Sequence, residues 1–361
     1  MVFVNDMLAQ NSAPGTALTG SAFAFEPERI EQDLRQHIVG QEQAISHLRR
    51  QFNIIKAGLA DPRRPLLTAL FLGDTGTGKT ETVRCIARSI HGRDDAFCRI
   101  DMNTLSQSHY SAAITGAPPG YVGSKDNLTM LNEELIAGTL TRPGIVLFDE
   151  IEKASPDVVR SLMNILDNGH LALASGQKEL SFRNTLVFMT SNAGSRQWQR
   201  TRWYHWLPPA WQAKQRRRIQ QRALYDHFDT EFLNRISCIE TFAPLAADSL
   251  PDILAIHIAE LNQTLKKRGV SVHFPPAVIQ WLAGSGYEQH FGARAVQRIF
   301  QQQVMAPLAT TLLALQQSDQ PVQLLAQLDQ DTLFFTPGPV PHPGSIPGLK
   351  AAEAKQGEDH D

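Results

Sequence analysis

One eight-residue motif limits the fold of this chain more than any other feature of its sequence. Residues 73–80 read GDTGTGKT, which fits the pattern GxxxxGK[ST] and directly follows the apolar run LLTALFL at 66–72. Glycines let backbone N–H groups turn inward around phosphate oxygens, and the lysine brings a positive charge to them. A chance glycine-rich turn is the alternative, but the apolar run before the motif and the helical pattern after it argue against chance. The motif predicts a strand, a phosphate-binding loop and a helix in succession.

The same motif predicts individual nucleotide contacts. We expect Lys79 to bind the β- and γ-phosphates of ATP and the Thr80 hydroxyl to bind Mg²⁺. The helix that Thr80 opens would point its N-terminus at the anion. The predicted cofactor-binding residues of the loop are Gly73, Asp74, Thr75, Gly76, Thr77, Gly78, Lys79 and Thr80.

A second motif, GIVLFDE at residues 144–150, adds two carboxylates. Its apolar residues predict a buried strand, and ligands of open α/β sheets bind at the C-terminal ends of the strands. We expect Asp149 to hold Mg²⁺ through water and Glu150 to polarise the attacking water. An acidic helix start is the alternative, since carboxylates are favoured there as well, but the phosphate-binding motif earlier in the chain favours the catalytic interpretation.

A third run, TLVFMTSN at residues 185–192, ends in Asn192, whose amide could orient the water beside the γ-phosphate. An ordinary turn residue at a strand end is the alternative. Runs that are apolar at nearly every position are typical of parallel strands covered by helices on both faces. The predicted fold class is therefore α/β, with a parallel-sheet P-loop nucleotide-binding domain.

The length of 361 residues predicts about two domains. Residues 26–60 have a helical pattern, residues 245–316 are typical of consecutive helices, and a β-hairpin should follow around Asp329–Asp331. We predict a flexible arm at 1–25, a large α/β nucleotide-binding domain at 26–243, a small, mainly helical lid domain at 244–336 and a disordered tail at 337–361.

The composition argues against several classes of protein. The net charge is −2 and there are three widely spaced cysteines, so neither a general attraction to nucleic acid nor a disulfide or zinc framework is indicated. The N-terminus lacks a basic n-region, and no run approaches the ~18 apolar residues of a membrane-spanning helix. We expect a cytoplasmic protein without a membrane span.

Taken together and in order, the motifs resemble the AAA+ superfamily and within it the Clp unfoldase and disaggregase family, in particular the second ATPase module of ClpA and ClpB. The resemblance covers about residues 30–335. It is carried by the two motifs above and by IVGQEQAI at 38–45, DEIEKASPDVVRSLMNILDNGHL at 149–171, FRNTLVFMTSN at 182–192, FLNRI at 232–236 and GYEQHFGARAVQRIFQQQV at 286–304.

The resemblance implies roles for further residues. Ile38 and Val39 would pack on the adenine, Arg235 would be an arginine finger for the nucleotide of a neighbouring subunit, and Arg294 would be the sensor of the lid, acting in cis. An arginine at either place could stabilise the charge that hydrolysis spreads over the γ-phosphoryl oxygens. Without a phosphate site, each arginine would more simply be read as part of a surface salt bridge.

The family also implies an assembly and a substrate. We expect a homo-oligomer, a hexameric ring that hydrolyses ATP with Mg²⁺ at its subunit interfaces and threads polypeptide through a central pore. The loop GAPPGYVG at 116–123 lies where the family places its pore loop, and an aromatic there can press on almost any extended chain. An ordinary surface loop is the alternative. The predicted pore-loop residues are Gly120, Tyr121, Val122 and Gly123.

The sequence departs from the family in several places. Asp74 stands where the phosphate loop usually has proline, Asp229 stands where an arginine usually supports the finger, and His170 replaces the arginine of a GRL sequence. No substrate-binding N-domain, first ATPase module or coiled-coil middle domain is recognisable. The IGL- or IGF-type tripeptide of the peptidase-docking loop is missing too, so we expect no docking to a ClpP-like peptidase.

The segment 195–222, called the Trp/Arg segment below, has no counterpart in the family pattern. It holds four of the five tryptophans and eight lysines or arginines, and it has no acidic residue. It could be the surface for a dedicated protein partner, because tryptophan and arginine dominate binding hot spots. It could engage nucleic acid or an anionic membrane. It could also be an insertion whose tryptophans pack on the domain while its arginines stay solvated.

Two other functions stay open beside the ring motor that unfolds polypeptide. The first is an AAA+ ATPase that acts on nucleic acid or on a specialised assembly partner through the Trp/Arg segment. The second is a scaffold that binds ATP without hydrolysing it, and the complete set of predicted catalytic residues argues against this.

Overall fold

The computed structural model describes residues 21–105, 131–172, 179–200, 206, 208–285, 292–315 and 322–338. The chain divides into two compact units, Met1–Ser249 with Glu288–Arg294, and Leu250–Tyr287 with Ala295–Asp361. The four segment limits predicted from the sequence stay predictions.

The first unit is built on a five-stranded sheet whose neighbouring strands are all parallel. In chain order the strands of this unit are β1 (Leu67–Leu72), β2 (Cys98–Asp101), β3 (Gly144–Asp149), β4 (His170–Ala172), β5 (Glu179–Ser181), β6 (Thr185–Ser191) and β7 (Cys238–Thr241). The sheet order is β2-β3-β6-β1-β7, while β4 and β5 form a separate antiparallel pair. The C-terminal ends of β1, β3 and β6 therefore meet at one edge, as the predicted site requires.

Helices surround this sheet. They are α1 (Pro27–His37), α2 (Glu42–Lys56), α3 (Lys79–His91), α4 (Glu133–Ala137), α5 (Pro156–Asn168), α6 (Ser195–Arg200), α7 (Pro209–His227) and α8 (Thr230–Leu233). The α/β fold class predicted from the sequence is confirmed by this arrangement.

Strand β1 shows why five of its six residues are apolar. Leu70 and Leu72 belong to one buried cluster, with Phe148 and Leu162, whereas Phe71 belongs to a second. Successive side chains of a strand point to opposite faces, so a strand covered on both faces carries apolar residues on both of them. All six residues of β1 and all seven of β6 are buried.

The second unit combines helices with a three-stranded sheet of order β10-β9-β8. Its elements are α9 (Leu250–Lys266), β8 (Val270–His273), α10 (Pro276–Ser285), α11 (Gly292–Ile299), α12 (Ala306–Ala314), β9 (Val322–Asp329) and β10 (Thr332–Pro337). The first turn of α11, as far as Arg294, is assigned to the first unit. The predicted hairpin is present, with β9 and β10 antiparallel.

Two local predictions are wrong in detail. The helical pattern of 26–60 is interrupted between α1 and α2, where Gly40 has φ 75°, a conformation that glycine adopts without cost. Residues 245–316 are not all helical, because β8 lies among them and pairs in parallel with β9. Four residues are too few to show a strand pattern against helical neighbours, and their pairing comes from a segment far along the chain.

Within the described residues, no helix combines the length and the apolar character needed to cross a bilayer. The three cysteines, Cys85, Cys98 and Cys238, are all free thiols, in agreement with the absence of a disulfide pattern in the sequence.

Candidate functional site

Lys79 lies at the centre of the candidate site, on the first turn of α3. Its Nζ donates to Gly73 O, to Asp74 O and to Asn192 Oδ1, each at 2.7 Å. The structure thus joins the loop that follows β1 to the residue that follows β6, which the sequence predicted separately. The ammonium group occupies the loop that a phosphate would enter.

Lys79 is buried, and burial makes its ammonium group easier to deprotonate. Desolvation lowers its pKa to about 8, Arg294 acts in the same direction, and the carboxylates of Asp74, Glu152 and Asp149 oppose the shift. A phosphate in the loop would add negative charge close to the ammonium and favour its protonated form.

The phosphate loop needs its glycines for two different reasons. Gly76 and Gly78 have φ of 80° and 97°, a region where other residues are strained. Gly73 has no such φ, but a Cβ there would lie 2.8 Å from Phe242 O. Thr77 closes the loop from within, since its Oγ1 donates to Asp74 O at 2.9 Å.

Asp149, the last residue of β3, is almost fully buried and held on both sides. Thr190 Oγ1 donates to its Oδ1 at 2.5 Å, and Arg99 Nη2 donates to its Oδ2 at 2.5 Å. Buried carboxylates need such partners, because an unpaired charge in the interior is costly. Arg99 comes from β2, whose residue Asp101 is paired with Asp149 in the sheet.

Glu150, the residue after Asp149, has an uncommon backbone conformation. Its φ is 58° and its ψ is 54°, a left-handed conformation that costs a residue with a side chain about 1–2 kcal/mol. Such strain in a native structure is a pointer to function. The carboxylate is held by Asn103 Nδ2 at 2.6 Å and by Asn192 Nδ2 at 3.2 Å, and the backbone N–H donates to Thr190 Oγ1 at 3.0 Å.

Asn192 is therefore the bridge of the site. Its amide oxygen accepts from Lys79, its amide nitrogen donates to Glu150, and its backbone N–H donates to Glu152 Oε1 at 3.2 Å. A neutral amide can serve both partners because it carries an acceptor and a donor.

Around Asp149 and Glu150, sequence reasoning missed Arg99, Asn103, Glu152 and Thr190. A signal existed for Thr190, which is the polar residue before the strand end in TLVFMTSN, and for Glu152, which lies two positions after Glu150. Arg99 and Asn103 follow only from the sheet order, which places β2 beside β3.

The segment between α1 and α2 lies next to the phosphate loop. Ile38 is buried, and its Cγ2 would lie 3.8 Å from a Cβ built on Gly78. Gln41, also missed, donates from Nε2 to Thr77 O at 3.2 Å and to Ala243 O at 2.9 Å. Val39 is half-buried. Ile38 is thus near the loop, and the adenine-packing role of Ile38 and Val39 stays a prediction.

Arg235 and Arg294, the two arginines predicted to act on nucleotide, have different surroundings. Arg235 is bound within its own subunit, to Asp167 and Glu231, and the hydrogen bond to Asp167 raises its pKa. Arg294 belongs to the first unit and acts on Lys79 through its charge. Just before it, Ala293 N–H donates to Gly76 O at 3.0 Å.

The predicted pore loop, Gly120, Tyr121, Val122 and Gly123, lies outside the described residues. The described part of the Trp/Arg segment has mixed exposure. Trp198 is buried, while Trp206 and Trp211 are 91% and 59% exposed.

The polar groups at the sheet edge suit a hard cation. Thr80 would offer a hydroxyl and Asp149 a carboxylate, and oxygen ligands of this kind are those that Mg²⁺ prefers. The described residues contain no group of three or more His, Cys, Asp or Glu side chains close enough to hold a metal by themselves.

A parallel sheet whose phosphate loop, acidic strand end and bridging asparagine meet at one edge defines a P-loop nucleoside triphosphatase. Comparisons with known protein families identify the class more narrowly. The profile of the AAA domain (Cdc48 subfamily) matches residues 64–239, and that of the C-terminal, D2-small domain of ClpB protein matches residues 245–323.

Three known proteins are similar to the chain over most of its length. An ATP-dependent protease ATP-binding subunit-like protein, AmiB, of Pseudomonas aeruginosa is 44% identical over 301 residues, which are 81% of each chain. The chaperone protein ClpB of Meiothermus ruber is 36% identical over 294 residues, which are 79% of this chain and 32% of ClpB. The solved complex of S. cerevisiae Hsp104 with casein matches with a TM-score of 0.73 at 28% identity, over 87% of this chain and 53% of Hsp104.

The chain belongs to the Clp family of AAA+ ATPases and resembles the second ATPase module of that family. It spans about a third of the ClpB relative and about half of Hsp104. The predicted ATPase activity and nucleotide binding are confirmed by this membership.

Proposed function

We propose that this protein is an ATP-dependent unfoldase or remodelling chaperone. It hydrolyses ATP at the subunit interfaces of a hexameric ring and threads polypeptide through the central pore with Tyr121. The observation that carries the proposal is the bridge from Lys79 through Asn192 to Glu150, in a chain similar to ClpB and to an Hsp104 that was solved with casein. The bridge favours hydrolysis over passive binding, because it connects the phosphate-binding lysine to a positioned carboxylate.

Glu150 is the general base of the proposed reaction. Two amides, from Asn103 and Asn192, hold its carboxylate, so its oxygens are oriented before a water arrives. Preorientation of this kind reduces the activation barrier of hydrolysis, because the carboxylate does not have to be ordered during the reaction. Asn192 would hold the water beside the γ-phosphate while Lys79 neutralises the phosphate oxygens.

Thr80 and, through water, Asp149 are the residues proposed to hold Mg²⁺. When bound, Mg²⁺ would supply positive charge that offsets the negative charge of the phosphates. Arg99 and Thr190 fix both oxygens of Asp149, which gives the carboxylate one defined orientation. The remaining cofactor contacts proposed are Ile38 and Val39 to the adenine and Arg294 to the phosphates in cis.

Arg235 completes the proposed site of a neighbouring subunit. Asp167 and Glu231 hold its guanidinium in a fixed direction, which lowers the entropy cost of presenting it across an interface. Asp229, at the N-cap position of α8, offers no second positive charge there. Hydrolysis would therefore depend on ring formation and on this one arginine.

Labelled casein, an unstructured chain, is the probe that tests the proposal. Glu150→Gln should hold casein in the presence of ATP and Mg²⁺ and release it in ADP, as seen by fluorescence anisotropy. The wild-type protein should hydrolyse ATP faster when casein is added. If casein neither binds in the ATP state nor changes the hydrolysis rate, the proposal of a polypeptide substrate is wrong. A wild-type protein that does not hydrolyse ATP would instead refute the proposed hydrolysis.

The outer face of α7 favours a second interaction, with a dedicated partner. Its exposed residues at helical spacing are Trp211, Lys214, Arg218, Arg222 and Tyr225. The helix carries five lysines or arginines and one acid, so charge complementarity points to an acidic partner. The two aromatics stand about 21 Å apart along the helix, too far to stack successive bases. We infer an acidic protein segment as the partner.

Charge reversal tests this partner. A glutamate-rich peptide should bind the wild type and lose binding to the variant Lys214→Glu/Arg218→Glu/Arg222→Glu, while Arg160→Glu on α5 serves as the control for charge. If single-stranded DNA binds more tightly than the peptide and its binding depends on the same three residues, the partner is nucleic acid and not an acidic protein.

A further inference from the structure

The phosphate loop contains one acidic residue, Asp74. Its side chain is 21% exposed, its Oδ1 has no hydrogen-bond partner, and its charge acts on the Lys79 ammonium. A carboxylate in this position opposes the entry of a polyphosphate, because like charges repel strongly where water is partly excluded.

Arg216 of α7 neutralises that carboxylate. Its Nη2 donates to Asp74 Oδ2, and its side chain is 12% exposed. The guanidinium carbon lies 5.4 Å from the ring centroid of Trp198 on α6, a distance at which an arginine is attracted to the face of an aromatic ring. Trp198 is itself buried, so the ring holds the guanidinium toward the loop.

Helix α7 contacts the rest of the nucleotide-binding unit just after Arg216 as well. Arg217 Nη2 donates to Gln43 Oε1 of α2 at 2.7 Å. Gly194, two residues after Asn192, packs so closely on α7 that a Cβ would lie 2.8 Å from Gln220 Cα. The Trp/Arg segment is therefore packed into the nucleotide-binding unit, and Arg216 is not one of its solvated arginines.

We propose that Arg216, stacked on Trp198, is a positioning residue of the nucleotide site, which cancels the charge of Asp74 and so lets the phosphate loop accept ATP. The Trp/Arg segment is in this way a functional part of the ATP site. The pair acts on binding and not on the chemical step, so its loss raises KM for ATP and leaves kcat nearly unchanged.

A double-mutant cycle on Asp74 and Arg216 tests the proposal. Binding of a fluorescent ATP analogue is titrated in excess Mg²⁺ for wild type, Arg216→Gln, Asp74→Asn and the double variant, and KM and kcat are measured for each. Arg217→Gln removes the same charge from the neighbouring position and is the matched control. Thermal melting of every variant separates a loss of fold from a loss of binding.

Arg216→Gln should weaken ATP binding about tenfold in the wild-type background. In the Asp74→Asn background the same substitution should weaken ATP binding by less than about twofold, because no carboxylate is left to neutralise. Arg217→Gln should have no comparable effect. An equal loss in both backgrounds would mean that Arg216 binds the nucleotide directly or only supports the fold, and no loss in the wild-type background would mean that the pair is irrelevant. Either result overturns the proposal.

Discussion

Glu150 shows how a single residue can be set apart from its neighbours by backbone conformation. Within the described residues, only Glu150, Gln330 and Asp331 have positive φ without being glycine. The last two form the turn of the β9–β10 hairpin, where such conformations are expected. Glu150 instead lies between the last residue of β3, Asp149, and a short 3₁₀ helix, Ile151–Lys153. The cost is offset by the network that holds the carboxylate.

The first prediction separates the effect of backbone strain on stability from the effect of losing the carboxylate. Glu150→Ala and Glu150→Gly both lose the bonds to Asn103 and Asn192, but only alanine keeps a Cβ in the left-handed region. The glycine variant should therefore be about 1 kcal/mol more stable than the alanine variant. Chemical denaturation measures the difference, and neither variant should hydrolyse ATP. Equal stability would show that position 150 is not strained.

A second prediction at this scale concerns pH and Glu240 on β7. Burial raises the pKa of this carboxyl above its ordinary value of 4.5, although the hydrogen bond and charge of His47 and the charges of Arg217 and Arg50 oppose the shift. Because the folded-state pKa is the higher one, this group's contribution to stability is full below pH 4.5 and is lost as the pH rises through the raised value.

Replacement of Glu240 by glutamine removes that contribution. The unfolding free energy of wild type should therefore fall relative to that of Glu240→Gln as the pH rises from about 4 to 7, as measured by denaturant titration at several pH values. Replacement of the exposed Glu28 is the control for a general charge effect. A difference that grows in the opposite direction would show that the bond to His47 outweighs burial.

At the scale of elements, the strands could be predicted from the sequence and their order could not. GIVLFDE and TLVFMTSN are apolar runs that end in polar residues, so their pattern, together with the phosphate-binding motif, predicted Asp149, Glu150 and Asn192. Neighbours in the sheet are set by packing between distant segments, which leaves no local signal. Arg99 and Asn103 were missed for that reason, and so was the contact between Asp74 and Arg216.

A third prediction tests how tightly α4 packs on the start of β3. A Cβ on Gly144 would lie 1.9 Å from Ile136 O, so Gly144→Ala must push helix and strand apart. The expected loss is about 3 kcal/mol of unfolding free energy. Gly92→Ala is the matched control, because Gly92 has φ 78° but nothing within 4 Å of the added Cβ, and its cost should be only about 1 kcal/mol. Equal losses would refute the steric explanation.

At the scale of the whole molecule, the proposal requires that subunits complete one another. Glu150 and Arg235 lie in the same chain but would serve two different nucleotides. Such an arrangement would make hydrolysis depend on assembly, and mixing of variant subunits can test it.

The fourth prediction is that two inactive variants restore each other. Arg235→Ala should bind ATP normally and lose most of its hydrolysis, by about 10³-fold or more if it acts as a finger. Glu150→Gln should also be inactive. Mixed rings contain interfaces with an intact Glu150 from one subunit and an intact Arg235 from its neighbour, so mixing should restore part of the ATPase rate. No recovery after verified subunit exchange would contradict action in trans.

The central claim, that ATP hydrolysis pulls on polypeptide through Tyr121, is tested most directly by unfolding of a tagged fluorescent reporter. Wild type should extinguish its fluorescence with ATP and not with ADP. Tyr121→Ala should hydrolyse ATP at a rate near that of wild type and leave the reporter folded, while Tyr121→Phe should retain unfolding because it keeps the aromatic ring. If Tyr121→Ala unfolds the reporter as fast as wild type does, the threading mechanism is wrong.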